Sequence, residues 1–203
     1  MDSTGRQHEI VILRHGETEW SRSGRHTGLT DLPLTENGEA GAVAAGGLLR
    51  GREFALVLAS PLQRARRTAE LAGLTPQIDA ELLEWDYGGY EGRTTAEIRA
   101  ELGRPWSVFD DGVVPGETPG ETVEEVAARA SRVLVRIEPA LARGDVALVA
   151  HGHFLRILTA VYLRQEIRFA AQLPLEAGGV CVLGHEKELT AIRAWNRVAH
   201  RDG

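Results

Sequence analysis

The sequence predicts an α/β fold, a three-layer α/β/α sandwich whose mostly parallel central sheet carries helices on both faces. Three observations predict it. Short apolar runs at 10–13 (IVIL), 55–59 (ALVLA) and 146–150 (VALVA) are continuous rather than alternating, as expected of strands covered on both faces. Segments of helical spacing lie between and after them. Strands alternating with helices fold through right-handed crossovers into a layered sheet. At 203 residues and 43% hydrophobic, the chain is long enough for one core and does not demand a second. Residues 1–203 are therefore expected to form a single domain.

In chain order, the first strand stops at Arg14-His15-Gly16. The glycine is expected to let the backbone turn sharply and bring its N–H close to a bound anion. Thr35 can cap a helix from Glu36 to about Leu49. Ser60-Pro61 reads as an N-cap and a first-position proline, opening a helix to about Gly73 with Leu62, Ala65, Ala69 and Ala72 on one face. Arg66 and Arg67 fall on its solvated side. Thr122 and Glu125 make a capping-box pattern, and Val126, Ala130, Val133, Ile137 and Leu141 continue at helical spacing. Pro139 should kink or end that helix. Phe154 to Leu163 reads as a short helix, and the tail VCVLGHEKELTAIRAW as two strands joined by a tight polar turn. Residues 105–120, PWSVFDDGVVPGETPG, are expected to be a long surface loop, either a lid or a solvated connector.

Composition excludes several classes. A formal charge of −6 argues against a nucleic-acid surface or an anionic membrane patch, both of which need clustered Lys and Arg. No run approaches the roughly 18 apolar residues of a membrane span, and MDSTGRQHE lacks the apolar region of a signal peptide. A cytoplasmic protein is expected. The single cysteine, Cys181, allows neither an intrachain disulfide nor a cysteine zinc site, and its apolar neighbours read as a buried structural setting.

Ligands of open α/β sheets bind beyond the carboxyl ends of the strands. There the first run delivers Arg14 and His15, the second Ser60 with Arg64 a turn later, and the third His151. The helix after Pro61 would aim free N–H groups at the same edge. Such a pocket calls for an anion, above all a phosphate, which arginine forks bind bidentately and which a histidine can attack. His151 and His153 could pair on a metal, but no Asp, Glu or Cys stands at ligand spacing. A leaving alcohol needs a proton. On chemistry alone Glu81, Glu84, Asp86 or Glu91, in or beside ELLEWDYGGYEG, could supply it.

LRHGET, SPLQRARRTAEL, LLEWDYGGYEG and VAHGH, in this order, resemble the motifs of the histidine phosphatase superfamily, also called phosphoglycerate mutase-like, over nearly the whole chain. The resemblance implies that His15 accepts the phosphoryl group, that Arg14, Arg64 and His151 form the phosphate pocket, and that Glu84 is the proton donor. It also implies further substrate contacts from Ser21, Thr27, Gly28, Tyr87, Gly152 and His153. Ser21 and Thr27-Gly28 fall where cofactor-dependent mutases hold phosphate, with Ser21 in place of their usual asparagine. The pattern is similar to acid phosphatases of this superfamily from high-GC actinobacteria, mycobacteria included. No metal and no cofactor are implied.

The resemblance leaves three activities to weigh. A mutase must hold its substrate's carboxylate as well as its phosphate. Family mutases use a lysine where this chain has Thr95, followed by an arginine pair, whereas only Arg93, Arg99 and Arg104 occur between Trp85 and Glu121. Around the 105–120 loop, Trp106, Phe109, Val113 and Val114 beside Asp110 and Asp111 suit a trianion poorly. Hydrolysis of a small phosphate monoester therefore comes first, a cofactor-dependent mutase second, and an inactive phosphoester-binding protein third. The C-terminal strands also offer an edge through which two copies could pair as a homodimer.

Overall fold

The computed structural model describes residues 7–199; the first six residues, part of the polar stretch read above as no signal peptide, lie outside the described part. Strands β1 (Ile10–Arg14), β2 (Phe54–Ala59), β3 (Gln77–Ile78) and β4 (Asp145–Ala150) are parallel, and β5 (Val180–Glu186) and β6 (Leu189–Arg197) add on antiparallel. Together they make one six-stranded sheet in the order β3-β2-β4-β1-β5-β6. The helices are α1 (Glu19–Ser23), α2 (Glu36–Leu48), α3 (Gln63–Leu71), α4 (Thr95–Leu102), α5 (Val108–Asp111), α6 (Val123–Leu141) and α7 (Gly152–Tyr162).

The unbroken apolar runs are explained by what covers each face. Ile10 and Ile12 pack with Val133 of α6 and Phe154 of α7, whereas Val11 and Leu13 pack with Ala45 of α2 and Ala65 and Ala69 of α3. None of the four strand residues is more than 1% exposed, and each such side chain stabilises the fold by roughly 1.5–3 kcal/mol. Register then positions the site. Arg14 lies opposite Ala150, and Ala59 opposite Val149. His15 N–H donates to Ala150 O and Ser60 N–H to Val149 O, so His15, Ser60 and His151 leave the sheet at one edge.

Helix ends follow the expected caps at two places. Thr35 Oγ1 accepts from Gly38 N–H at 3.0 Å, and Thr122 with Glu125 forms the capping box. Four expectations are corrected. The helix after Ser60-Pro61 begins only at Gln63, with Leu62 at its N-cap and no side-chain cap; Ser60 Oγ meets His151 Nε2 at 2.7 Å and accepts from Leu62 N–H at 3.4 Å, ahead of the helix. Its first N–H is already bound to Asp31 Oδ1 at 2.8 Å, so it does not point free at the site. Pro139 does not end α6 at its own position, since the helix runs two residues further, to Leu141; a proline in the last turn removes a single helical bond. Residues 105–120 are not simply loop. They contain α5, and Trp106, Val108 and Phe109 are buried in the core, because their apolar area is better placed there than in water.

Among the described residues no helix is long and apolar enough to cross a membrane. Cys181 in β5 is fully buried, and burial pushes its thiol up to about 12, as befits an inert core side chain.

Candidate active site

A cavity of about 230 Å³ opens at the carboxyl edge of β1 and β4, walled by Arg14, His15, Glu84, Tyr87, His153 and residues discussed below. His15 is only 4% exposed. Its Nδ1 lies 2.7 Å from Gly16 O. A carbonyl can only accept, so Nδ1 carries the proton and the neutral ring keeps its lone pair on Nε2. Burial first, and then the Arg64 and Arg14 guanidinium groups, hold the ring well below the ordinary histidine range. Gly16 plays a different part from the one expected. Its N–H donates to Thr68 Oγ1 at 2.9 Å and is not free for an anion. The glycine is needed because a Cβ there would lie 2.4 Å from Gly38 O.

Arg14 Nη1 donates to Leu175 O, whereas Arg14 Nε is buried and has no partner among the described residues. A buried unpaired guanidinium N–H is costly, and here it belongs to a group that walls the cavity. Gly152 gives it room, since a Cβ at that position would lie 3.3 Å from Arg14 Nε and Cζ.

Arg64 and His151 are both completely buried and stand behind the wall rather than in it. Arg64 donates from Nη1 to Thr30 O (2.7 Å), from Nη2 to Gly28 O (2.8 Å) and Thr27 O (3.2 Å), and from Nε to His151 Nδ1 (3.2 Å). His151 Nδ1 is thus an acceptor, which puts the proton on Nε2, 2.7 Å from Ser60 Oγ. Its ring lies 5.2 Å from that of His15, and burial, then Arg64, keeps it neutral. His151 and His153 join separate networks, His153 Nδ1 meeting the Tyr87 hydroxyl; the metal pairing weighed from sequence does not form.

Glu84, 5% exposed, is held by the start of α7. Its Oε1 accepts from Trp85 N–H and Phe154 N–H, both at 2.9 Å, and Oε2 from His153 N–H at 3.0 Å. The helix N-terminus that serves the cavity is therefore that of α7, and a carboxylate fills it. Arg129 of α6, which no local pattern marked, shapes the loop that carries Glu84. It donates to the carbonyls of Glu81, Leu83 and Glu84 and forks onto Glu121 at 2.7 and 2.8 Å.

The remaining expected contacts divide. Thr27, Ser21 and Gly152 wall the cavity. The Ser21 hydroxyl, however, is spent on the α1 capping box, accepting from Thr18 N–H at 2.9 Å and donating to Thr18 O at 3.1 Å. Gly28 is off the wall. Its N–H donates to Glu91, and a Cβ would meet Trp85 O at 2.5 Å. Arg93 pairs with Glu101, Arg104 with Asp111, and Arg99 donates to Trp106 O. Arg25, His26 and Arg156, unread in the sequence, do reach the wall, alongside Thr95.

A sequence model of the histidine phosphatase superfamily (branch 1) matches residues 10–198. The chain belongs to the histidine phosphatase superfamily. Among relatives in this superfamily, an acid phosphatase of Mycobacterium tuberculosis is 40% identical over 194 residues, covering 92% of each chain. A sedoheptulose 1,7-bisphosphatase of Saccharomyces cerevisiae is 37% identical over 183 residues, 75% of this chain and 66% of that one. A solved structure of an open reading frame of Mycobacterium tuberculosis superposes with a TM-score of 0.89 at 35% identity, over 96% of this chain and 100% of the other.

Proposed function

We propose that the chain hydrolyses small phosphate monoesters without a metal ion, through a phosphohistidine on His15. The observation that carries this reading is the Nδ1 bond of His15 to Gly16 O, which leaves a neutral Nε2 lone pair on a ring that walls the cavity. In the first step Nε2 forms a bond to phosphorus as the ester P–O bond breaks, and Glu84, having taken up a proton from solvent as the substrate enters, gives that proton to the departing alcohol. The phosphorylated ring becomes an imidazolium whose Nδ1–H remains bonded to Gly16 O. Arg14, through its unpaired Nε, and the field of Arg64 behind it offset the charge on the equatorial oxygens. In the second step water attacks phosphorus, the P–N bond breaks, and Glu84 recovers a proton from the water. Inorganic phosphate leaves and His15 is neutral again.

An acid-phosphatase relative of higher identity and coverage than two mutase relatives supports hydrolysis over transfer. The direct test is p-nitrophenyl phosphate turnover in excess chelator. Full activity is expected, with an optimum on the acid side, since depressed His15 stays unprotonated into mildly acid solution. Loss of activity that divalent cations restore would overturn the reading.

A further inference from the structure

Arg14 Nη1 donates to Leu175 O, the one hydrogen-bond partner of its guanidinium among the described residues. What fixes that carbonyl therefore fixes the guanidinium. A trans peptide is planar, so the Leu175 C=O and the Glu176 N–H are two sides of one rigid unit. Glu176 N–H donates to Asn196 Oδ1 at 2.8 Å. The preceding unit is held as well, Pro174 O accepting from Trp195 Nε1 at 2.7 Å. Both peptide planes that flank the Leu175 Cα are thus pinned by adjacent residues of β6, 20 and 21 positions along the chain. The same segment, 174–179, also holds the backbone at the end of β1. Gly179 O accepts from Arg14 N–H at 3.1 Å, and Gly178 N–H donates to His15 O at 3.0 Å.

Strand β6 is bent to make this reach. Val180 pairs with Arg197 but Val182 with Ala194, so β6 carries one residue more than β5 over that span. Such a bulge re-aims side chains. Within it Asn196 has a φ of 50°, left-handed backbone that asparagine tolerates better than most residues. The approach of its amide to the segment is close, since a Cβ at Gly179 would lie 2.6 Å from Asn196 Oδ1. A residue that merely bent the strand would leave its side chain to solvent. Here both ends of the amide meet Glu176, Oδ1 at the N–H and Nδ2 at the carboxylate, the latter at 3.4 Å.

Building on the phosphatase reading, we propose that Asn196 is a positioning residue of the phosphate pocket: it sets the Leu175–Glu176 peptide plane, and through it the direction in which Arg14 presents its unpaired Nε to the phosphoryl oxygens. Trp195 steadies the plane before it.

The variant Asn196→Gly accepts the left-handed backbone and keeps a main-chain N–H for Cys181 Sγ, so it deletes only the amide. Arg14 meets the phosphoryl group and not the alcohol. The kcat is therefore expected to fall about tenfold, by the same factor on p-nitrophenyl phosphate and on glycerol 3-phosphate. Inorganic phosphate, followed by calorimetry, should bind severalfold more weakly. In an Arg14→Gln background the same substitution should cost less than about twofold, because the group it positions is gone. Trp195→Phe removes only the Nε1 bond; it should show the same pattern more weakly, and it serves if Asn196→Gly unfolds. An unchanged kcat in the folded variants, or a loss that is the same with and without Arg14, would overturn the inference and leave the phosphatase reading standing. If the wild type hydrolyses neither ester, that reading falls, and phosphate binding, weakened or unchanged by Asn196→Gly, decides the positioning role alone.

Discussion

The inner and outer ends of the cavity are built differently. At the inner end His15, His151, Arg64 and Glu84 are buried, and all of them are held by short hydrogen bonds to the backbone or to one another. At the outer end Arg25 and Arg156 are partly exposed and anchored mainly by carbonyls. A dry, over-determined inner end suits bond making, where misplacement by an ångström is costly. A looser rim suits selection of what hangs from the phosphate. Inner substitutions should therefore strike kcat on every substrate, and outer ones the ranking of substrates.

The largest effect on this comparison comes from Glu84→Gln. On an alkyl phosphate such as glycerol 3-phosphate, kcat should drop roughly 10²–10³-fold, and far less on p-nitrophenyl phosphate, whose leaving group needs no proton. Equal losses on both would assign Glu84 to holding α7 and the cavity wall, not to proton transfer.

Next comes pH. The folded state keeps His15, His151 and His153 well below the ordinary range and His26 at about 4. Unfolding releases these rings to bind protons below about pH 6.5, so stability must fall as pH drops through that value and continue falling until the folded rings titrate. His26 alone should withdraw on the order of 3 kcal/mol between pH 7 and 4. Thermal unfolding across that range would show it, with a shallower slope in His26→Phe; a flat profile would mean that the rings are already solvated.

The smallest effect is expected for Ser21→Ala. Its hydroxyl serves the α1 cap, so stability should fall by about 1 kcal/mol while KM stays within about threefold. A tenfold rise in KM would return Ser21 to the phosphate contacts that the family resemblance implies.

Sequence legibility follows the same division. Arg14, His15 and His151 could be read because a buried apolar run ending in charge has few explanations, and register makes three such ends meet. Glu84 could not be chosen from its neighbours by composition. What singles it out is the start of α7, distant in sequence, donating two N–H groups to it. Gly16 departs from its expected role for the same reason, since the Thr68 hydroxyl that takes its N–H is 52 positions away. Arg25 and Arg156 carry no local sign that separates a wall arginine from solvated ones such as Arg66. Strand β3, two residues long, is too short for any periodicity to register.

The most direct test of the account is to trap the intermediate. Enzyme mixed with a ³²P-labelled monoester and quenched in alkali should carry covalent label that survives base, is released by mild acid and maps by mass spectrometry to His15. The label should be absent from a folded His15→Ala variant that has lost turnover. Label on another residue, or undiminished turnover without His15, would contradict the account.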